Sequence, residues 1–291
     1  MARFGQRARC ALAVAAPTAL LAAAAAAQTA TIGISPLRIE MALGERPAAE
    51  AIQIMNLGAA PIELAVSVSN WILDETNQVR VIEPTEQSLD QWIVISPLRF
   101  TVPPGKQQTV RFTVRPKVRP EPGEHRAMIF FDEVPEVEAQ PGQTRVVGRI
   151  GVAVYAHVGD VTRRAVLDCI DVVSAGSTVA ALFDISSTGT ANARMAGRYV
   201  IWPADRFKGL AASPPDVVPD GKGPPPEGAV EAAALPSTPV LPGFRRRIVM
   251  RLSQPLAPGA WVLEIEGRLG EDPLRLAFPF EVVPEPRAQA R

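Results

Sequence analysis

The chain has 291 residues with 30 basic and 30 acidic side chains, 47% apolar residues and only 5% aromatic ones. That length suits roughly two domains of about 100–150 residues, with enough apolar residues for a core in each. A balanced charge gives no support to nucleic-acid binding, which asks for a basic excess or stripe. Few aromatics argue against a carbohydrate-binding face.

The first segment reads as an export signal. Arg3, Arg7 and Arg9 precede an alanine-rich apolar run from Cys10 to Ala27, and Ala25-Ala26-Ala27 stands before Gln28 as a small-residue cleavage site. The alternative, an uncleaved membrane anchor of about 18 apolar residues, is borderline in length. Cleavage removes three basic residues and leaves 27 against 30 acidic ones, a net charge near −3. It also removes Cys10 and leaves Cys169 alone, so no intrachain disulfide is expected although the compartment permits one. Cys169 reads as a small buried apolar residue.

Strand patterns follow in close order. Residues 31–39 and 51–56 form two strands about a Gly44-Glu45-Arg46-Pro47 turn, and Ile62, Leu64, Val66 and Val68 alternate in a third over 62–71. A short piece at 79–82 leads to 92–137, where three apolar runs are separated by Pro-Pro-Gly and Pro-Gly turns: Trp92-Ile93-Val94-Ile95, then 109–114, then 127–131. A further strand spans 145–157. No stretch sustains a helical period. These seven or eight strands predict an immunoglobulin-like sandwich, without the Cys…Trp…Cys signature of antibody domains. Gly159-Asp160 is the predicted boundary. Beyond it, 166–173, 179–186, 198–202, 245–252, 260–266 and 274–282 predict a second sandwich. Residues 203–242, dense in Pro, Gly and Ala, read as a mobile insertion, and 285–291 as a disordered tail. The expected division is 1–27 signal, 28–158 first domain, 159–284 second domain.

The order of motifs between Ile32 and Val158 resembles the PapD-like periplasmic pilus chaperones. The pieces are a Pro-bearing bend after Trp92, Pro104-Gly105, the strand Gln107-Gln108-Thr109-Val110-Arg111, and a Glu124-containing strand ending before Pro135. The resemblance implies two immunoglobulin-like domains in an angled arrangement. It implies a periplasmic chaperone that caps a pilus or surface-fibre subunit by donor-strand complementation and delivers it to an outer-membrane usher, with no cofactor. It also implies that Arg38 anchors the subunit's terminal carboxylate in the cleft between domains. The family's second anchor is a lysine on the last strand of the first domain. Here Gly151 stands in that place, and Arg149, two residues earlier on the same face, is the candidate substitute. The same strand supplies the donor edge through Val146, Ile150, Val152 and Val154, unless those residues face the domain's own core. Self-association through this edge is left open.

Catalytic readings find little. His125 and His157 have no metal-ligand spacing to each other or to a cysteine pair. No Gly-x-Ser-x-Gly motif or phosphate-binding glycine loop occurs. No small-molecule substrate, nucleic acid or metal is implied. Glu124 reads as an internal ion-pair partner, and His125 as a solvated strand entry. The alternative function is a secreted structural or adhesive sandwich within a surface assembly. N-terminal sequencing of a periplasmic extract should find a chain starting at or near Gln28; an intact Met1 in the membrane fraction would count against export with cleavage.

Overall fold

Alternation decides the sheets. A computed structural model describes residues 32–44, 48–74, 77–134, 148–175, 178–212 and 223–283. The expected signal segment, Val146, the centre of the 203–242 insertion and the tail 285–291 lie outside the described residues. In the first domain ten strands form: β1 (Ile32–Ser35), β2 (Arg38–Leu43), β3 (Ala48–Asn56), β4 (Ile62–Leu73), β5 (Val79–Ile82), β6 (Ile93–Ser96), β7 (Arg99–Val102), β8 (Gln107–Val114), β9 (Gly123–Val134) and β10 (Arg149–Val158). One sheet runs β1-β3-β8-β6. The other runs β2-β10-β9-β4-β5, with β7 also paired to β4. Every second residue of β8 (Val110, Phe112, Val114) and of β4 (Ile62, Leu64, Val66) enters the core between them, as a period of two requires.

The strand expected over 31–39 is in fact two. It breaks at the cis peptide Ser35-Pro36, and the halves join different sheets: β1 pairs with β3, β2 with β10. The same thing happens at the cis peptide Ser96-Pro97, where β6 pairs with β8 and β7 with β4. Both corners carry the pentapeptide Ile-Ser-Pro-Leu-Arg, at 34–38 and 95–99. Proline has no N–H to give a ladder and is tolerated at a sheet edge or bend.

The second domain begins at Ala165, after the Gly159 turn. It has β11 (Ala165–Ala175), β12 (Thr178–Ser187), β13 (Met195–Pro203), β14 (Glu231–Ala234), β15 (Arg245–Arg251), β16 (Gly259–Leu269) and β17 (Asp272–Val282). A β11-β12-β15 sheet faces a β14-β13-β16-β17 sheet. Val179, Ala181, Phe183 and Ile185 of β12 fill the core with Ile201, Leu263 and Ile265.

Two expectations are corrected here. Cys169 is exposed, because β11 is an edge strand with a bulge between Leu167 and Cys169. The described ends of the insertion are folded. β14 adds to the β13 edge, Leu235, Val240 and Leu241 are buried, and Glu231 accepts hydrogen bonds from the Tyr199 hydroxyl (2.5 Å) and the Ser253 and Gln254 amides. The segment has few large apolar residues, but Leu235, Val240 and Leu241 among them are buried.

The two domains share a seam. Trp71, Met128, Phe130 and Tyr155 of the first domain pack with Leu241 of the second. The Glu124 carboxylate, its side chain wholly buried, accepts from the Asn192 amide (2.8 Å) and Asn192 Nδ2 (2.6 Å) and lies 3.6 Å from His157. The internal-partner reading of Glu124 therefore holds, with its partners on both domains. His125 is not solvated: its ring nitrogens lie 2.7 and 2.8 Å from the Gln87 and Glu121 carbonyls, and its ring packs on Trp92. Burial pushes the Glu124 carboxyl upward, but the nearby His157, the Asn192 hydrogen bonds and the Arg126 charge outweigh it and hold the group below its ordinary 4.5. A lowered carboxyl stabilises the fold above its unfolded value, and that contribution is lost as pH falls through the folded one. Stability should therefore drop below about pH 4.5, and Glu124→Gln should flatten that drop while lowering stability at pH 7. Denaturant melts across pH 3–7 read both, and an unchanged acid slope in the variant would place the sensitivity elsewhere.

Candidate functional site

β10 carries three commitments at once. Val152, Val154 and Ala156 are buried in the first core. On the other face Ala153 and Tyr155 join the seam cluster. On its outer edge β2 covers β10 only from Ala153 onward, where Ala153 is opposite Arg38 and donates its N–H to the Leu37 carbonyl (3.1 Å). From Arg149 to Val152 that edge has no strand partner among the described residues. An uncovered edge of backbone donors and acceptors is a template for another strand.

This corrects the donor assignment. Val152 and Val154 are fully buried in their own domain, so neither is offered to a partner. The even face points inward, and only where the sandwich ends does it emerge, at half-buried Ile150. Val146 lies outside the described residues.

Arg38 sits where β2 meets β10, at the mouth of a cleft of about 280 Å³. Its lining includes Arg38 and Glu40 from the first domain and Arg163, Asn192, Arg194, Ser237 and Arg268 from the second. Arg38 is half exposed and lies 3.5 Å from Glu40, which also pairs with Arg163 (3.3 Å). Arg194 is held by the Ser237 carbonyl (2.6 Å), Asn192 Oδ1 (3.0 Å) and the Tyr155 hydroxyl (3.3 Å). Burial pushes that phenol up to about 12, with Arg194 opposing, so it stays neutral. Tyr155 lies on β10, and Asn192 and Ser237 lie in connections of the second domain, so Arg194 is held from both domains.

Arg149 is not brought to this cleft. It stands four residues from Ala153, roughly 13 Å along the strand, and forks onto Asp132 while lying over the Phe130 ring at 4.9 Å. Nor can Gly151 be filled freely, since a Cβ there would come within 2.8 Å of the Met128 sulfur. Among the described residues, Arg38 is the one arginine of the first domain that lines the cleft. The other cations that line it, Arg163, Arg194 and Arg268, belong to the second domain. The only hint in the chain was the pair Arg163-Arg164 just past the boundary.

Residues 31–154 match the family model described as the pili and flagellar-assembly chaperone, PapD N-terminal domain. No curated protein matches this chain. Among solved structures, the chain is similar to the CsuC–CsuE chaperone–tip adhesion subunit pre-assembly complex from archaic Csu pili of Acinetobacter baumannii, at 13% identity, covering 86% of this chain and 98% of that one, TM-score 0.42. It is also similar to the class 5 fimbriae chaperone CfaA (12%, 84% and 98%, TM-score 0.41) and to the Pseudomonas aeruginosa CupB2 chaperone (10%, 86% and 100%, TM-score 0.37).

The two faces of β10 can be separated by experiment. Val152→Thr puts a hydroxyl into the first core and should lower stability by about 1–3 kcal/mol. Ile150→Thr, at the rim, should lower it by less than about 1 kcal/mol. Thermal or denaturant melts that rank the two the other way would show that the even face does not point into this core.

Proposed function

We propose that this chain, whose residues 31–154 match the PapD N-terminal model of pili and flagellar-assembly chaperones, is a periplasmic chaperone for a pilus or surface-fibre subunit. It binds the subunit through the open edge of β10 and passes it to an outer-membrane usher. The observation that carries the reading is the uncovered β10 edge at Arg149–Val152, ending at Arg38 and the cleft. A subunit strand laid on that edge gains main-chain hydrogen bonds without regard to its side chains. It can run only as far as Ala153, where β2 already occupies the ladder. The guanidinium of Arg38 stands at that stop, with the planar fork that suits a carboxylate. No energy source enters: the chaperone stabilises a subunit that lacks a strand, and release follows when another strand takes the place.

The reading of the chain as a fibre component is less well supported. The described strands close the first sandwich with its own Val152, Val154 and Phe112, leaving no groove for a donor.

Arg38→Ala should remove co-purification with a subunit co-expressed from a neighbouring open reading frame. A charge-assisted contact in a cleft is worth about 2–5 kcal/mol. The variant's own stability should stay within about 0.5 kcal/mol, since Arg38 is half exposed and its pairing with Glu40 is a surface one. Equal recovery of the subunit by variant and parent would refute the anchor.

A further inference from the structure

The cleft holds more positive charge than its own residues answer. Four guanidiniums, Arg38, Arg163, Arg194 and Arg268, line it with Glu40 as the one carboxylate. Glu40 is shared between Arg38 and Arg163. Arg194 is spent on Ser237, Asn192 and Tyr155. Arg268 is exposed, and its side chain has no hydrogen-bond or ionic partner among the described residues. Like charges held together in a concave site repel one another, and an anion between them relieves the repulsion.

The gathering is built into the backbone. Gly270 donates its N–H to the Arg194 carbonyl (2.9 Å), and Glu271 donates to the Arg163 carbonyl (2.9 Å) while its carboxylate accepts from the Arg163 amide (3.1 Å). Gly270 has φ +63, and a Cβ on it would fall 1.8 Å from the Arg163 carbonyl oxygen. Only glycine allows this approach. One turn thus ties Arg194, Arg163 and, two residues back on β16, Arg268 to the same spot. The first domain brings only Arg38: Gly151 carries no charge, and Arg149 is forked onto Asp132.

We propose that the cleft is a two-domain carboxylate clamp, in which Arg163 and Arg268 of the second domain act with Arg38 of the first on the terminal carboxylate of the bound chain. This rests on the subunit-binding reading above and extends it from one domain to both. The ligand is a chain end, because β2 blocks the β10 edge at Ala153 and a strand paired up to that point has its terminus beside Arg38. Guanidiniums converging from both walls offer a carboxylate paired N–H forks on each oxygen. Binding then bridges the seam, so the relative position of the domains becomes part of the site.

The test uses the full chain and a defined probe, the peptide acetyl-Val-Thr-Val-Thr-Val as free acid and as amide. The arginine Nε–Hε signals are followed by nuclear magnetic resonance. The acid should move the Arg38, Arg163 and Arg268 signals with one midpoint, and the amide should move none. Arg268→Ala should weaken acid binding about tenfold, roughly 1.4 kcal/mol, while Arg251→Ala, an exposed arginine away from the cleft, should bind as the parent does. If the acid moves Arg38 alone and Arg268→Ala binds normally, the two-domain clamp is wrong and the Arg38 anchor survives. If Arg38 does not respond and Arg38→Ala binds as the parent does, the anchor itself falls with it. Inorganic phosphate that displaces the acid at concentrations below those the acid needs would overturn the assignment to a chain terminus.

Discussion

The crossing of one strand between sheets governs this molecule. At Ser35-Pro36-Leu37 the chain leaves the β3 edge and, as β2, lies along β10 from Ala153 onward. Had it stayed in one sheet, β10 would have an open edge along its whole length. Had it crossed earlier, no edge would remain. Because it crosses here, β10 is closed over its second half and uncovered over Arg149–Val152, and Arg38 is delivered to the dividing point. The matching crossing at Ser96-Pro97-Leu98 closes the opposite side of the sandwich against β4. Edges are normally blunted to prevent unwanted pairing. On β10 the crossing leaves one short length uncovered, and that length adjoins the cleft.

The seam between the domains sorts its charges with care. Buried Glu124 is answered fourfold: the Asn192 amide and side chain, His157 at 3.6 Å and the nearby Arg126. A lone carboxylate at such depth would be strongly destabilising, so these partners have to be in place when the domains meet. Arg194 is likewise satisfied on three sides. A few residues away the balance reverses: Arg38 and Arg163 share Glu40, and Arg268 has no ionic partner among the described residues. Within the seam, Glu124 Oε2 and the Arg194 guanidinium are held by partners in place. Groups facing the cleft are left in surplus where another molecule can reach them.

Much of the fold was legible because a sheet writes its pattern at a period of two. Ile62-Leu64-Val66 and Val179-Ala181-Phe183-Ile185 announce buried faces. The crossing strands were not legible as strands: 31–39 shows one continuous β pattern, and nothing local says that its halves hydrogen-bond to different sheets. The repeated Ile-Ser-Pro-Leu-Arg was the available signal, since a proline inside a strand pattern points to an edge or a break. Arg38 could be found from its place in the first strand. Arg194 and Arg268 could not, because they converge through Gly270 and strands far apart in the chain. Val152 and Val154 were misassigned for a related reason: alternation tells which residues share a face but not which face is inside.

The division of labour on β10 has a consequence for selectivity. Between Arg149 and Val152, one side chain is paired with Asp132, one is absent at Gly151 and one is buried at Val152, which leaves Ile150 as the apolar group at the rim. What this stretch offers another strand is mainly backbone, and backbone pairing discriminates poorly between sequences. Discrimination has to arise where the edge stops. There, charge and geometry separate a chain that ends from one that continues, since only the former brings a carboxylate to the arginines. The same strand that makes the contact permissive thus hands the choice to the cleft beside it.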